Sequence, residues 1–138
     1  MTTEFLYDFI SRHRYLVLST VTLHSLPEAA IVGFAATEDL KIIFDTVTTS
    51  RKYQNLLNNP YIALVIGWDN YQTLQYEGIA KIPTEDELDD LLEVYFKAFP
   101  DGKQRKDNWK DITYFCIHPK WIRYSDFNDP PMIEEKLF

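Results

Sequence analysis

The stretch Phe44-Asp45-Thr46-Val47-Thr48-Thr49-Ser50-Arg51-Lys52 gathers the residue types that bind an oxyanion. An apolar strand ends at Phe44, a polar loop rich in threonine follows, and Ser50-Arg51-Lys52 opens a helix. A helix N-terminus presents unpaired N–H groups and about half a positive charge. Thr46, its neighbouring threonines and Ser50 can donate hydroxyl hydrogen bonds. Arg51 can grip two oxygens in a fork, and Lys52 adds a point charge. These are the ingredients of a phosphate site. By residue chemistry alone two readings stand: a phosphate site, or an ordinary capped helix with two exposed basic residues.

The other reactive residue types form no comparable set. Cys116 lies in an apparent strand with His118 two residues along on the same face. A reactive thiol needs an exposed electropositive setting, so Cys116 reads as a buried structural thiol. His13, His24 and His118 are scattered, without the spacings that build a zinc site. The cluster Glu85, Asp86, Glu87, Asp89, Asp90 reads as helix chemistry. Its first three members suit the positive end of a helix dipole, and the rest sit on the solvent face. No G-x-G-x-x-G and no P-loop is present.

The elements that must position the 44–52 stretch follow from periodicity. Thr3 is the expected cap of a helix running to about Arg14, with Phe5, Leu6, Phe9 and Ile10 as its apolar stripe. Tyr15–Val21 and Ala29–Ala35 read as a hairpin joined near His24-Ser25-Leu26-Pro27, and Leu40–Phe44 as a third strand. The helix opened by Ser50 ends at Asn58-Asn59-Pro60. The apolar run Tyr61–Trp68 suggests a strand buried on both faces or covered by a partner. Thr73–Ile82 alternates, and Gly78 within it suggests a bend or a close backbone approach.

A capping box, Thr84 with Glu87, opens a long helix carrying Leu88, Leu91, Leu92, Tyr95 and Phe99. Lys103–Lys110, interleaved with aspartates, reads as a solvated loop. Ile112–Ile117 and Trp121–Tyr124 read as the last two strands, separated by His118-Pro119-Lys120, and the tail from Asn128 as extended chain. About six strands with three inserted helices imply one mainly β, α+β domain over residues 1–138, an antiparallel barrel.

Composition narrows the partners. Formal net charge is −7, so nucleic acid and anionic membrane surfaces are not expected partners. One cysteine allows no disulfide within the chain, which fits a reducing cytosol. The longest apolar run is too short to span a bilayer, and no basic start followed by an apolar run marks a signal peptide. A cytoplasmic protein is expected.

The ordered set of motifs resembles the pyridoxamine 5′-phosphate oxidase-like family, the FMN-binding split barrels. The resemblance lies in Phe44-Asp45-Thr46, Ser50-Arg51-Lys52-Tyr53-Gln54-Asn55-Leu56, Asn59-Pro60 before the strand Tyr61–Val65, Glu77-Gly78-Ile79-Ala80, and Ile117–Tyr124. The first hairpin fits as well, with Leu18-Ser19-Thr20-Val21 and Pro27. The resemblance implies an FMN-binding type of antiparallel split β-barrel, a homodimer holding two FMN molecules, and a small-molecule substrate. It places Arg51 and Lys52 on the phosphate, with Ser50 and Thr46 nearby. It places Ala30, Ile31 and Val32 along the isoalloxazine and ribityl chain, and Thr73 at a flavin-reaching position, with Gln72 and Gln75 as alternatives.

Two departures stand out. Many relatives carry an arginine near the phosphate in the second strand, where this chain reads Glu28-Ala29-Ala30-Ile31-Val32. The true oxidases carry a flavin-flanking tryptophan where Ser125 falls here, and an Arg-x-His that the tail from Phe127 lacks. The expectation is therefore an FMN-dependent oxidoreductase-like protein that is not a true pyridoxamine 5′-phosphate oxidase. The alternative is a non-catalytic protein that binds or senses flavin, haem or deazaflavin. No residue stands out as a general acid or base, the catalytic residues are left open, and no metal site is expected.

Overall fold

The computed structural model describes residues 1–138. Four helices and eight strands alternate along the chain: α1 (Thr3–Ser11), β1 (Tyr15–Val21), β2 (Pro27–Gly33), β3 (Ala35–Ala36), β4 (Ile42–Val47), α2 (Arg51–Asn58), β5 (Tyr61–Ile66), β6 (Gln72–Lys81), α3 (Glu85–Ala98), α4 (Gly102–Asn108), β7 (Ile112–Asp126) and β8 (Met132–Leu137). All pairings are antiparallel, in the order β2-β1-β5-β6-β7-β4-β3, with β8 added to β7. The sheet curls until β2 approaches β4, and this makes a split β-barrel.

Side-chain alternation sorts the strands into two cores. Ile42 and Phe44 of β4, with Phe115 and Ile117 of β7, point into the barrel, where they meet Leu6, Phe9 and Ile10 of α1. Their neighbours Ile43, Tyr114 and Cys116 point the other way, under Leu91, Leu92, Tyr95 and Phe99. The helix stripe expected on α3 therefore builds a second, smaller core outside the barrel.

Several boundaries differ from the sequence reading. Thr2, not Thr3, caps α1, its hydroxyl accepting from the Phe5 N–H. Leu40 stands before the third strand at φ 69°, and that strand runs on to Val47 because Asp45, Thr46 and Val47 pair with Tyr114, Thr113 and Ile112. The two last strands are one continuous β7. The ladder absorbs Pro119 and Lys120 by shifting register between Glu77 and Gly78. Gly78 permits this approach: a Cβ there would lie 2.5 Å from the His118 carbonyl oxygen. The tail is also a strand, β8, and adds to the sheet.

The run Tyr61–Ile66 is not buried on both faces of β5. Ile62, Leu64 and Ile66 are buried, whereas Tyr61 and Ala63 are exposed. The expected loop at Lys103–Lys110 is largely helical, because Arg105 anchors α4 to the barrel by pairing with Asp45. No helix is long and apolar enough to cross a membrane.

Candidate functional site

The 44–52 stretch folds into a compact turn against the first hairpin. Thr46, near the end of β4, shares a hydrogen bond of 2.9 Å with the Ser50 hydroxyl. Ser50 also accepts from the Tyr53 N–H at 3.2 Å and so caps α2. The loop between them is pinned at both sides: the Thr48 N–H donates to the Asp111 carbonyl and the Ser50 N–H to the Val47 carbonyl.

The start of α2 differs from those of the other long helices. Glu4 sits in the first turn of α1, and Glu85, Asp86 and Glu87 fill that of α3. The first turn of α2 holds no acidic residue; it begins Arg51-Lys52. The helix dipole and the two cations therefore add at this point, with no anion from the helix's own sequence.

Helix α2 lies over the inner face of the hairpin, its Asn55 reaching Thr20 of β1 and Glu28 of β2. A cleft of about 210 Å3 opens there, lined by Leu18, Thr20, Glu28, Ala29, Ala30, Arg51 and Lys52. The register Leu18 opposite Ala30 and Thr20 opposite Glu28 puts these four on one face. Asn55, one turn into α2 and buried, donates to the Thr20 hydroxyl at 3.0 Å and to Glu28 Oε1 at 2.7 Å. The other Glu28 oxygen pairs with Arg51, whose side chain is 84% exposed while that of Glu28 is 15% exposed.

The structure thus brings Arg51, Lys52 and Ala30 to one cleft, with Ser50 capping α2 just before Arg51 and Thr46 bonded to Ser50. The remaining expected residues separate. Val32 is buried in the barrel core, and Ile31, one residue earlier, is exposed on the outer face of the sheet. Thr73 lies on β6 opposite Ser125, with β1 and β5 between it and β2. Gln72 donates to Asp126, and Gln75 is exposed opposite Arg123.

Sequence reasoning missed Glu28 and Asn55. Glu28 lines the cleft and the buried Asn55 holds it there, but neither role is recognisable without the hairpin register. The one available signal was Glu28 standing on the strand from which an arginine was expected.

The other candidate groups stay apart from this cleft. Burial pushes the Cys116 thiol up to about 11; Glu87 and Asp39 push the same way, and Lys41 opposes them. His118 is held below its ordinary value by burial and by Lys81 and Lys41. His13 bonds the Phe9 carbonyl at the end of α1, and His24 is in the exposed hairpin turn. No histidine, cysteine, methionine or tyrosine lines the cleft, so it offers no usual haem-iron ligand.

The pattern of known proteins agrees with the architecture. Residues 2–126 match the family model described as pyridoxamine 5′-phosphate oxidase. A pyridoxine/pyridoxamine 5′-phosphate oxidase of Bordetella avium (strain 197N) is 33% identical over 90 residues, covering 64% of this chain and 41% of that relative. A haem-binding protein from Mycobacterium smegmatis superposes with a TM-score of 0.83 at 15% identity, over 99% of this chain and 58% of its own. A pyridoxamine 5′-phosphate oxidase-related, FMN-binding protein from Nostoc punctiforme superposes with a TM-score of 0.66 at 15% identity, over 91% of this chain and 87% of its own. The chain spans under half of the curated relative and under two thirds of the mycobacterial protein, and the structural likenesses concern the fold alone. With its family match running from the second residue to the end of β7, the chain belongs to the pyridoxamine 5′-phosphate oxidase family.

Proposed function

We propose that this protein binds FMN, with the phosphate held at the start of α2, and that it works as a flavin-dependent oxidoreductase on a small molecule. The observation that carries the reading is the cleft at Ser50-Arg51-Lys52. There two cations, a capped helix N-terminus and a small opening coincide in a chain of net charge −7. Arg51 and Lys52 hold the phosphate, and the Thr46–Ser50 hydroxyl pair fixes the turn behind it. Ala30 borders the ribityl end. When bound, flavin supplies the redox chemistry; the protein orients it and sets its electrostatic surroundings.

The cleft is smaller than the roughly 300–1,000 Å3 of typical ligand sites. It suits the phosphate end, and the rest of the flavin needs further walls. The outer face of β2-β1-β5 offers one. Ile31, Val17 and Val65 form one cross-strand row, Ala29, Ser19 and Ala63 the next, and Tyr61 is exposed at the start of β5. A second copy of the chain seated on this face completes the site, so a homodimer forms part of the proposal. Thr73 belongs to the wall assembled this way.

Haem binding without turnover is the rival reading, and the fold likeness to a haem-binding protein is what favours it. The absorbance spectrum of the purified protein, followed by NADH or NADPH, separates them. Flavin bands that bleach with a donor support the oxidoreductase. Bound flavin that every donor leaves oxidised supports a flavin binder, and a haem Soret band supports the rival. Light scattering at micromolar concentration gives a dimer mass if the outer face is covered as proposed; a monomer mass contradicts it.

Pyridoxamine 5′-phosphate is not the proposed substrate. Its phosphate needs a cationic grip separate from that of FMN. Ser125 is buried in β7 opposite Thr73, and β8 brings Glu134 and Glu135 alongside that strand. Formation of pyridoxal 5′-phosphate at about one turnover per second, in the range of ordinary enzymes, contradicts this.

A further inference from the structure

The cleft at the start of α2 already holds an anion of the protein's own. Glu28 reaches it from β2, one oxygen fixed by the Asn55 amide at 2.7 Å and the other paired with Arg51. The two ends of this bridge are held very differently. Asn55 is buried and bonded to Thr20 as well, so the glutamate is anchored. Arg51 is 84% exposed, so its guanidinium turns away with little loss of packing.

We propose that Glu28 is a specificity-determining residue, an internal carboxylate that occupies Arg51 and that a ligand phosphate must displace from it. The proposal rests on the reading that this cleft receives an anionic group. In the exchange Glu28 keeps its Asn55 hydrogen bond while Arg51 swings to the phosphate. No covalent bond changes. Arg51 and Lys52 against Glu28 leave the cleft one formal positive charge. A phosphate monoester brings about −1.5 to −2 at neutral pH. The glutamate therefore leaves the phosphate partly uncompensated and places a like charge beside it, which costs affinity. An uncharged ligand of the same shape meets neither effect. Glu28 thus narrows the preference for a phosphorylated ligand over its unphosphorylated form.

Glu28→Gln tests this, because the amide oxygen still accepts from Asn55 while the charge is gone. Fluorescence quenching with FMN and riboflavin gives both dissociation constants for the natural protein and the variant. The expected result is FMN binding tightened about tenfold, with riboflavin moved less than about twofold, from removal of the like charge. FMN binding that is unchanged or weaker, or an equal shift for both ligands, overturns the proposal. Glu28→Ala is a second variant should the amide disturb the hairpin, and it is expected to shift the same ratio.

Inorganic phosphate keeps the failure of this proposal apart from the failure of the flavin reading. It is titrated into labelled protein and followed at the Arg51 side-chain N–H and the amides of Arg51 and Lys52. If neither protein binds flavin but Glu28→Gln takes phosphate at these signals about tenfold more tightly, the flavin reading falls and the role of Glu28 stands. An identical phosphate response in both proteins overturns it.

Discussion

Two arginine–carboxylate pairs, one joining α4 to β4 and the other α2 to β2, show how burial divides one chemistry between two tasks. Arg105 and Asp45 are 20% and 16% exposed. The Arg105 Nε and Nη2 donate to Asp45 at 3.2 and 3.1 Å, and further bonds go to Asp101 and the Tyr95 hydroxyl. Each of the three nitrogens in that fork has a protein partner, and the pair fastens α4 and α3 to the barrel. Arg51 and Glu28 share the same groups, but the arginine is 84% exposed. Its partner is fixed and it is not, so it remains available to an arriving anion. Asp45 and Thr46 are consecutive on β4, and the strand's alternation sends one to the structural pair and the other to the Ser50 cap of α2.

The largest expected effect is on the buried side. Arg105→Ala strands the Asp45 carboxylate among Tyr95 and Tyr114, and it should cost about 2–3 kcal/mol of stability in urea unfolding. FMN affinity should stay within about twofold, since none of the partners of Arg105 lines the cleft. A strong loss of FMN binding in folded Arg105→Ala would erase the distinction between the pairs. Arg51→Ala should do the reverse. An exposed ion pair contributes about 0–1 kcal/mol to stability, while losing a charge-assisted phosphate bond should weaken FMN by about one to two decades. Riboflavin should be nearly indifferent.

The two helix caps sharpen the contrast at smaller amplitude. Ser50→Ala and Thr84→Ala each remove one capping acceptor, from α2 and α3 respectively, and each should cost about 1 kcal/mol. Only Ser50→Ala should also lower FMN affinity, because only that helix start carries cations and a cleft. Equal ligand effects from both would mean that α2 acts through general stability.

The smallest effect concerns pH. Cys116 sits in the core under α3, and burial raises its thiol to about 11 from an unfolded value of 9.0. The unfolded chain then loses the proton first as pH rises. The stability this group contributes is intact below pH 9 and is lost progressively towards pH 11. Cys116→Ala should flatten that part of the alkaline slope. The native thiol should also resist an alkylating reagent at pH 8; rapid labelling there would contradict its burial.

The helix start at the candidate site was legible because its signals are local. Ser50 three residues before the Tyr53 N–H, two cations at a helix start and the Asn-Pro stop are all read from adjacent positions. Glu28 was legible only as a missing arginine, because its meaning depends on β2 meeting β1 in one register and α2 crossing both. Helix α4 escaped for a similar reason. Gly102–Asn108 has no apolar stripe, and its order comes from Arg105 reaching Asp45, 60 residues back in sequence. At Pro119 the break rule failed because a bulge opposite Gly78 lets β7 continue past a residue with no N–H to donate.

The central claim is that the start of α2 holds a phosphate. Fluorescence quenching of FMN and riboflavin by the natural protein, under one buffer and one ionic strength, measures what that group contributes. The account predicts FMN bound at least about tenfold more tightly, the equivalent of about 1.4 kcal/mol, with the advantage lost in Arg51→Ala. Equal affinity for the two ligands in the natural protein would contradict it.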